Sequence, residues 1–139
     1  MKLQLHQITP RLWYMDNTVE TDRPSLGYIR GDKFSAVVDA GNSAAHYREF
    51  LALLDEQGLP HPDFCILTHY HWDHTYGICA LDIPSFACEK TLEHLMEEQS
   101  MFIGEAMRAY PHFQLPGLDM LAGFLEYDTA KQVQSVARQ

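Results

Sequence analysis

Apolar positions along the chain follow two rhythms. Leu3, Leu5 and Ile8, and then Leu12 to Met15, have strand-like spacing and predict a strand pair that bends at Pro10. Asp16 to Pro24 is polar and carries a proline, which predicts a loop. Ser25 to Arg30 predicts another strand. Gly31-Asp32-Lys33 then separates two apolar runs, a hairpin signal. Phe34 to Asp39 (FSAVVD) is almost continuously apolar, the pattern of a strand covered on both faces.

The rhythm then changes to that of a helix. Asn42 or Ser43 can cap it, and Tyr47, Phe50, Leu51 and Leu54 form its i, i+3, i+4, i+7 stripe. Gly58 stops it, with Pro60 just beyond. Phe64 to Leu67 (FCIL) reads as a second doubly covered strand, and Pro84 to Cys88 as a short one. From Thr91 to about Tyr110 a helix is predicted, with Leu92, Leu95, Met96, Ile103 and Ala106 on one stripe and a kink at Gly104. Beyond it, PHFQLPG is loop-like, Leu118 to Tyr127 fits either a short helix or a strand, and AKQVQSVARQ reads as a polar, frayed tail. Hairpins followed by strand-helix-strand units predict an α/β fold with a mixed sheet. The whole of 1–139 is expected to form a single domain.

Charge removes several functions. There are 10 basic against 19 acidic residues, a net charge of −9, and no basic run. Such a surface suits neither nucleic acid nor an anionic membrane. No apolar run approaches membrane-spanning length, and MKLQLHQITP lacks the pattern of a secretory signal. Cys65, Cys79 and Cys88 are odd in number and contain no C-x-x-C, so free thiols in a reducing cytoplasm are expected. Met96, Met101, Met107 and Met120 read as core filler. Trp13 and Tyr14 read as strand packing, and Glu93, Glu97 and Glu98 as a solvated helix face.

Chemistry is concentrated in one place. Thr68-His69-Tyr70-His71-Trp72-Asp73-His74 follows directly on FCIL. In an extended segment His69, His71 and Asp73 project to one side while Tyr70 and Trp72 pack on the other. A helical turn at Asp73 swings His74 back to the same pocket. Three imidazoles and a carboxylate form a ligand set that zinc prefers, with iron or manganese also compatible. Loops at the carboxyl ends of strands are the usual ligand sites of α/β sheets.

With this motif, the strand before it, and the strand ending in Val38-Asp39-Ala40-Gly41, the chain resembles the metallo-β-lactamase superfamily over roughly residues 10 to 90. The resemblance implies half of a four-layer αβ/βα sandwich, with helices on one face of a mixed sheet. The motif-bearing N-terminal half would span about 1–90, followed by a helical segment over about 91–139. It implies that His69 and His71 bind a first metal, and Asp73 and His74 a second. Asp39, with Thr68, would steady the histidine loop from behind. Zinc, one or two ions, would be the cofactor. Metal-bound hydroxide would attack an ester, thioester, amide or phosphodiester bond of a small-molecule substrate, and Asp73 would also orient that nucleophile.

The sequence departs from the family pattern in two ways. Tyr76 stands where a first glycine is common after the motif, and Gly77 at the second. No Gly-His pair occurs, and no histidine follows His112, so the ligands expected from a second half are missing. His112, in a loop, is the candidate substitute; His94 reads as an exposed helix residue. The motif therefore implies an enzyme, and the missing ligands imply that it is incomplete as a lone chain. The alternative is a non-catalytic association or weak metal-binding module. Either way a homodimer or a partner chain is expected to cover the open sheet face, and Leu115, Leu118, Met120, Leu121, Phe124 and Leu125 could supply part of that cover.

Overall fold

A computed structural model describes residues 2–109 and 129–136. Its seven strands lie in sequential order in one sheet: β1 (Leu5–Thr9), β2 (Leu12–Met15), β3 (Leu26–Arg30), β4 (Ser35–Val38), β5 (Phe64–Ile66), β6 (Ser85–Cys88) and β7 (Val133–Val136). The pairs from β1 to β4 are antiparallel, with short turns joining β1 to β2 and β3 to β4 and a longer loop joining β2 to β3. Those from β4 to β7 are parallel, as crossover connections require. The carboxyl ends of β4, β5 and β6 therefore share one sheet edge.

Helix α1 (Ala44–Glu56) links β4 to β5. Ser43 caps it, its hydroxyl accepting from the His46 backbone N–H, a contact typically worth about 1 kcal/mol. Tyr47, Phe50, Leu53 and Leu54 are buried, so Leu53 belongs to the stripe while Leu51 sits at its margin. Gly58 ends the helix region at φ +68°, a left-handed conformation that favours glycine. The short α2 (Trp72–Thr75) and a 3-10 turn (Tyr76–Ala80) follow β5, and α3 (Glu89–Ala109) follows β6, running through Gly104 without interruption.

The core lies on one face of the sheet. Trp13, Met15, Leu26, Tyr28, Val37, Cys65 and Ala87 meet the α1 side chains and Leu95 of α3 there. The register puts the alternate residues on the opposite face. Leu12, Ile29, Ala36 and Phe64 form one cross-strand row, and Tyr14, Gly27, Val38, Ile66 and Phe86 the next. This face is open in part: Ile66 is 37% exposed, Ile29 39% and Tyr14 39%. FSAVVD is buried on both faces from Ser35 to Val37, as expected, while the expectation for FCIL is corrected: Cys65 and Leu67 are buried and Ile66 is exposed. Among the described residues, the helices cover a single face, and an apolar groove bounded by Phe64, Ile66, Phe86 and Cys88 runs along the other.

The tail brings a second correction. Val133 to Val136 pairs in parallel with β6, and a short helix, α4 (Thr129–Gln132), leads into it. Val133 is buried, while Gln134 and Ser135 are exposed. His112 and the apolar positions from Leu115 to Leu125 fall outside the described residues.

Among Gly27, Gly31, Gly41, Gly58 and Gly77, Gly77 has the tightest surroundings. A Cβ there would stand 1.9 Å from the Ala40 carbonyl oxygen, which is backbone and cannot turn aside. Gly77→Ala is expected to cost at least about 3 kcal/mol in urea unfolding. Gly58→Ala has open space and meets only the cost of its positive φ, about 1 kcal/mol.

Candidate metal centre

Asp39 closes β4 with an unusual backbone. Its φ is +67°, a left-handed conformation that Asp tolerates better than most residues. This turns its carboxylate toward the segment that leaves β5. Oδ1 accepts from the Thr68 backbone N–H at 2.8 Å, and the Thr68 hydroxyl lies 2.9 and 2.8 Å from the two oxygens. His74 Nδ1 lies 2.8 Å from Oδ2. The backbone repeats the link: the Ala40 N–H donates to the His74 carbonyl, and the Gly77 N–H to that of Gly41.

These contacts determine which ring nitrogens are free. A carboxylate only accepts, so His74 donates from Nδ1. The Thr68 hydroxyl likewise spends its proton on Asp39. Its oxygen then accepts from His69 Nδ1, 2.8 Å away. In the neutral rings of both histidines the lone pair therefore sits on Nε2. This is how metal-binding imidazoles are held, with the far nitrogen donating to a carboxylate or hydroxyl.

The motif turns helical one residue earlier than expected, at Trp72, and the Trp72 side chain is exposed where packing was expected. His71 precedes α2, and Asp73 and His74 lie within it. The His69 ring centroid is 4.2 Å from that of His74 and 4.8 Å from that of His71. Asp73 Oδ2 is 3.6 Å from His74 Nε2. Ligand atoms of Asp39, His69 and His74 lie within 4.8 Å of one another, a group that does not include His71, whose ring meets that of His69, or Asp73, which lies beside His74. The trio takes one histidine from each of the metal pairs implied by resemblance, with the Asp39 carboxylate behind His74 Nδ1. A borderline cation suits this mixed imidazole and carboxylate set.

Tyr76 is buried against Trp72. His94 is half exposed, as its helix position suggested, yet its ring stacks on Tyr70 at 4.4 Å. That contact brings α3 to the site. Two residues near the cluster carried no sequence signal. His46 is fully buried beneath the Asp39 turn, and its Nδ1 accepts from the Asn42 N–H. Glu98 sits on α3 with one oxygen shielded from solvent. The three cysteines are free; burial raises the Cys65 and Cys79 thiols above their ordinary pKa. No helix among the described residues is long and apolar enough to cross a membrane.

Burial lowers the pKa of His46 from 6.5 to about 4, with Arg23 and His74 adding to the effect. The unfolded chain therefore binds a proton below pH 6.5 that the folded chain refuses until about pH 4. Stability from this group is complete above pH 6.5 and falls progressively toward pH 4. The drop in urea midpoint from pH 7 to pH 5 is expected to be smaller in His46→Gln, which has no titrating group there.

Comparison with known proteins agrees with this geometry. A family described as the metallo-beta-lactamase superfamily matches residues 21–125. Among solved structures, the metallo-beta-lactamase FIM-1 of Pseudomonas aeruginosa in its mono-zinc form is similar at 15% identity and a TM-score of 0.58, over 70% of this chain and 46% of that one. A metallo-beta-lactamase from Hirschia baltica is similar at 21% identity and a TM-score of 0.59, over 70% and 48%. A HARLDQ-motif mutant from Cronobacter sakazakii is similar at 19% identity and a TM-score of 0.55, over 68% and 38%. At these identities the likeness is one of fold, and the chain spans less than half the length of each protein. No curated protein matches the chain.

Proposed function

The chain belongs to the metallo-beta-lactamase superfamily, and on that premise we propose that it is the metal-binding half of a zinc-dependent hydrolase. The observation that supports this best is the Asp39 network, which commits Nδ1 of His74 and, through Thr68, of His69. His69, His71 and His74 would hold the ion, with Asp73 beside His74. Bound zinc supplies Lewis-acid polarisation of a substrate oxygen and activates water at neutral pH.

The chain's own groups have separate tasks. Asp39 keeps two rings in one tautomer and resists their rotation. Asp73, next to His74 Nε2, orients the attacking water or shares in ligation. Trp72, 38% exposed, forms part of the rim that a small ester, thioester, amide or phosphodiester substrate would meet.

One observation favours a second reading. The apolar rows on the uncovered face of β2 to β6 would suit a non-catalytic association module that holds metal weakly. The two readings differ on metal. Elemental analysis of the purified chain is expected to find one or two zinc ions, and His69→Ala or Asp73→Ala to lower that content while the circular dichroism spectrum stays the same. Zinc content unchanged in both variants would overturn the hydrolase reading.

A further inference from the structure

We infer that Glu98 of α3 orients His71, doing for that ring what Asp39 does for His74. The purpose of the pairing rests on the metal-site reading above; the pairing itself rests on separate observations. His69 and His74 each have an Nδ1 partner. His71 has ring contacts with His69 and Tyr70, but among the described residues neither of its ring nitrogens makes a hydrogen bond. It is the one imidazole of the motif without a group behind it. A ligating histidine ordinarily has one.

Glu98 has the complementary need. Thr91 and Leu95 are buried, and residues 91, 95 and 98 are spaced as one helical stripe, so Glu98 faces inward. Its Oε2 is shielded from solvent and has no hydrogen-bond partner among the described residues. A carboxylate oxygen in that condition is costly unless something answers it. Stacking of His94 on Tyr70 docks α3 here, and the Tyr70 ring is 5.0 Å from that of His71. Glu98 lies one helical turn beyond His94, on the same side. Burial raises its pKa, and the charges of His71 first and then His94 oppose the rise. No direct hydrogen bond joins Glu98 to His71 among the described contacts, so the proposed link would run through a bridging water on the other carboxylate oxygen.

This changes the reading of the acidic run on α3. Glu93 and Glu97 are exposed, as a solvated face should be, while Glu98 turns toward the histidines.

The test uses the whole chain with nitrogen-15 in its histidines, the His71 signals being those lost in His71→Ala. In the metal-free protein, Glu98→Gln is expected to shift the tautomer balance of His71 and leave His69 and His74 unchanged. Zinc affinity, measured by chelator competition, is expected to fall about 10-fold or more, and Glu98→Asp to recover part of it. Circular dichroism checks that the variants are folded. His71 ring signals identical in wild type and Glu98→Gln would overturn the pairing. Should wild type bind no zinc, the metal-site reading fails, and the metal-free comparison still decides whether Glu98 and His71 are coupled.

Discussion

The site depends on the carboxylate of Asp39. It is 4% exposed, stands at the end of β4 in a left-handed conformation, and accepts hydrogen bonds from Thr68 and His74. Without those donors it would be a nearly buried charge with little to stabilise it. With them it joins the ends of two parallel strands, fixes where α2 begins, and sets two imidazoles in one tautomer. Backbone bonds between Ala40 and His74 and between Gly41 and Gly77 make the same junction a second time. The close approach they require explains why glycine is needed at Gly77.

The surrounding fold works as a support for this junction. The core beneath it is apolar and shared by seven strands and one helical layer. His46 fills the space under Gly41, where a Cβ would come within 2.5 Å of its ring. Strain in the Asp39 turn is thus held by packing from below and by hydrogen bonds from above. Backbone conformations of this kind persist where the surroundings over-determine them, often at functional sites. The opposite sheet face has no comparable cover among the described residues. Its exposure agrees with a chain that spans less than half of the structures it resembles.

Much of this was legible in the sequence, because the signals are local. Six strands and two long helices follow from apolar periodicity, and H-x-H-x-D-H directly after FCIL marks the site. Asp39 stood out as the polar end of an apolar strand. Three features were not legible. β7 has four residues, two of them polar, and is defined by pairing with a strand some 45 residues earlier. Burial of His46 depends on how α1 meets the Asp39 turn, and its sequence neighbours do not report that. Glu98 looked like part of a solvated face, since the spacing of Glu93, Glu97 and Glu98 gives no sign of which one faces inward. The open face was expected from the missing second half; strand composition records what a strand is suited to meet, and within the described residues Ile66 and Ile29 stay exposed.

Calorimetric titration of zinc into the wild-type chain and into Asp39→Asn tests the central claim most directly. The account predicts that wild type binds zinc and that the variant, still folded by circular dichroism, binds it about 10- to 100-fold more weakly. Equal affinity in the two proteins, or no binding by wild type, would contradict it.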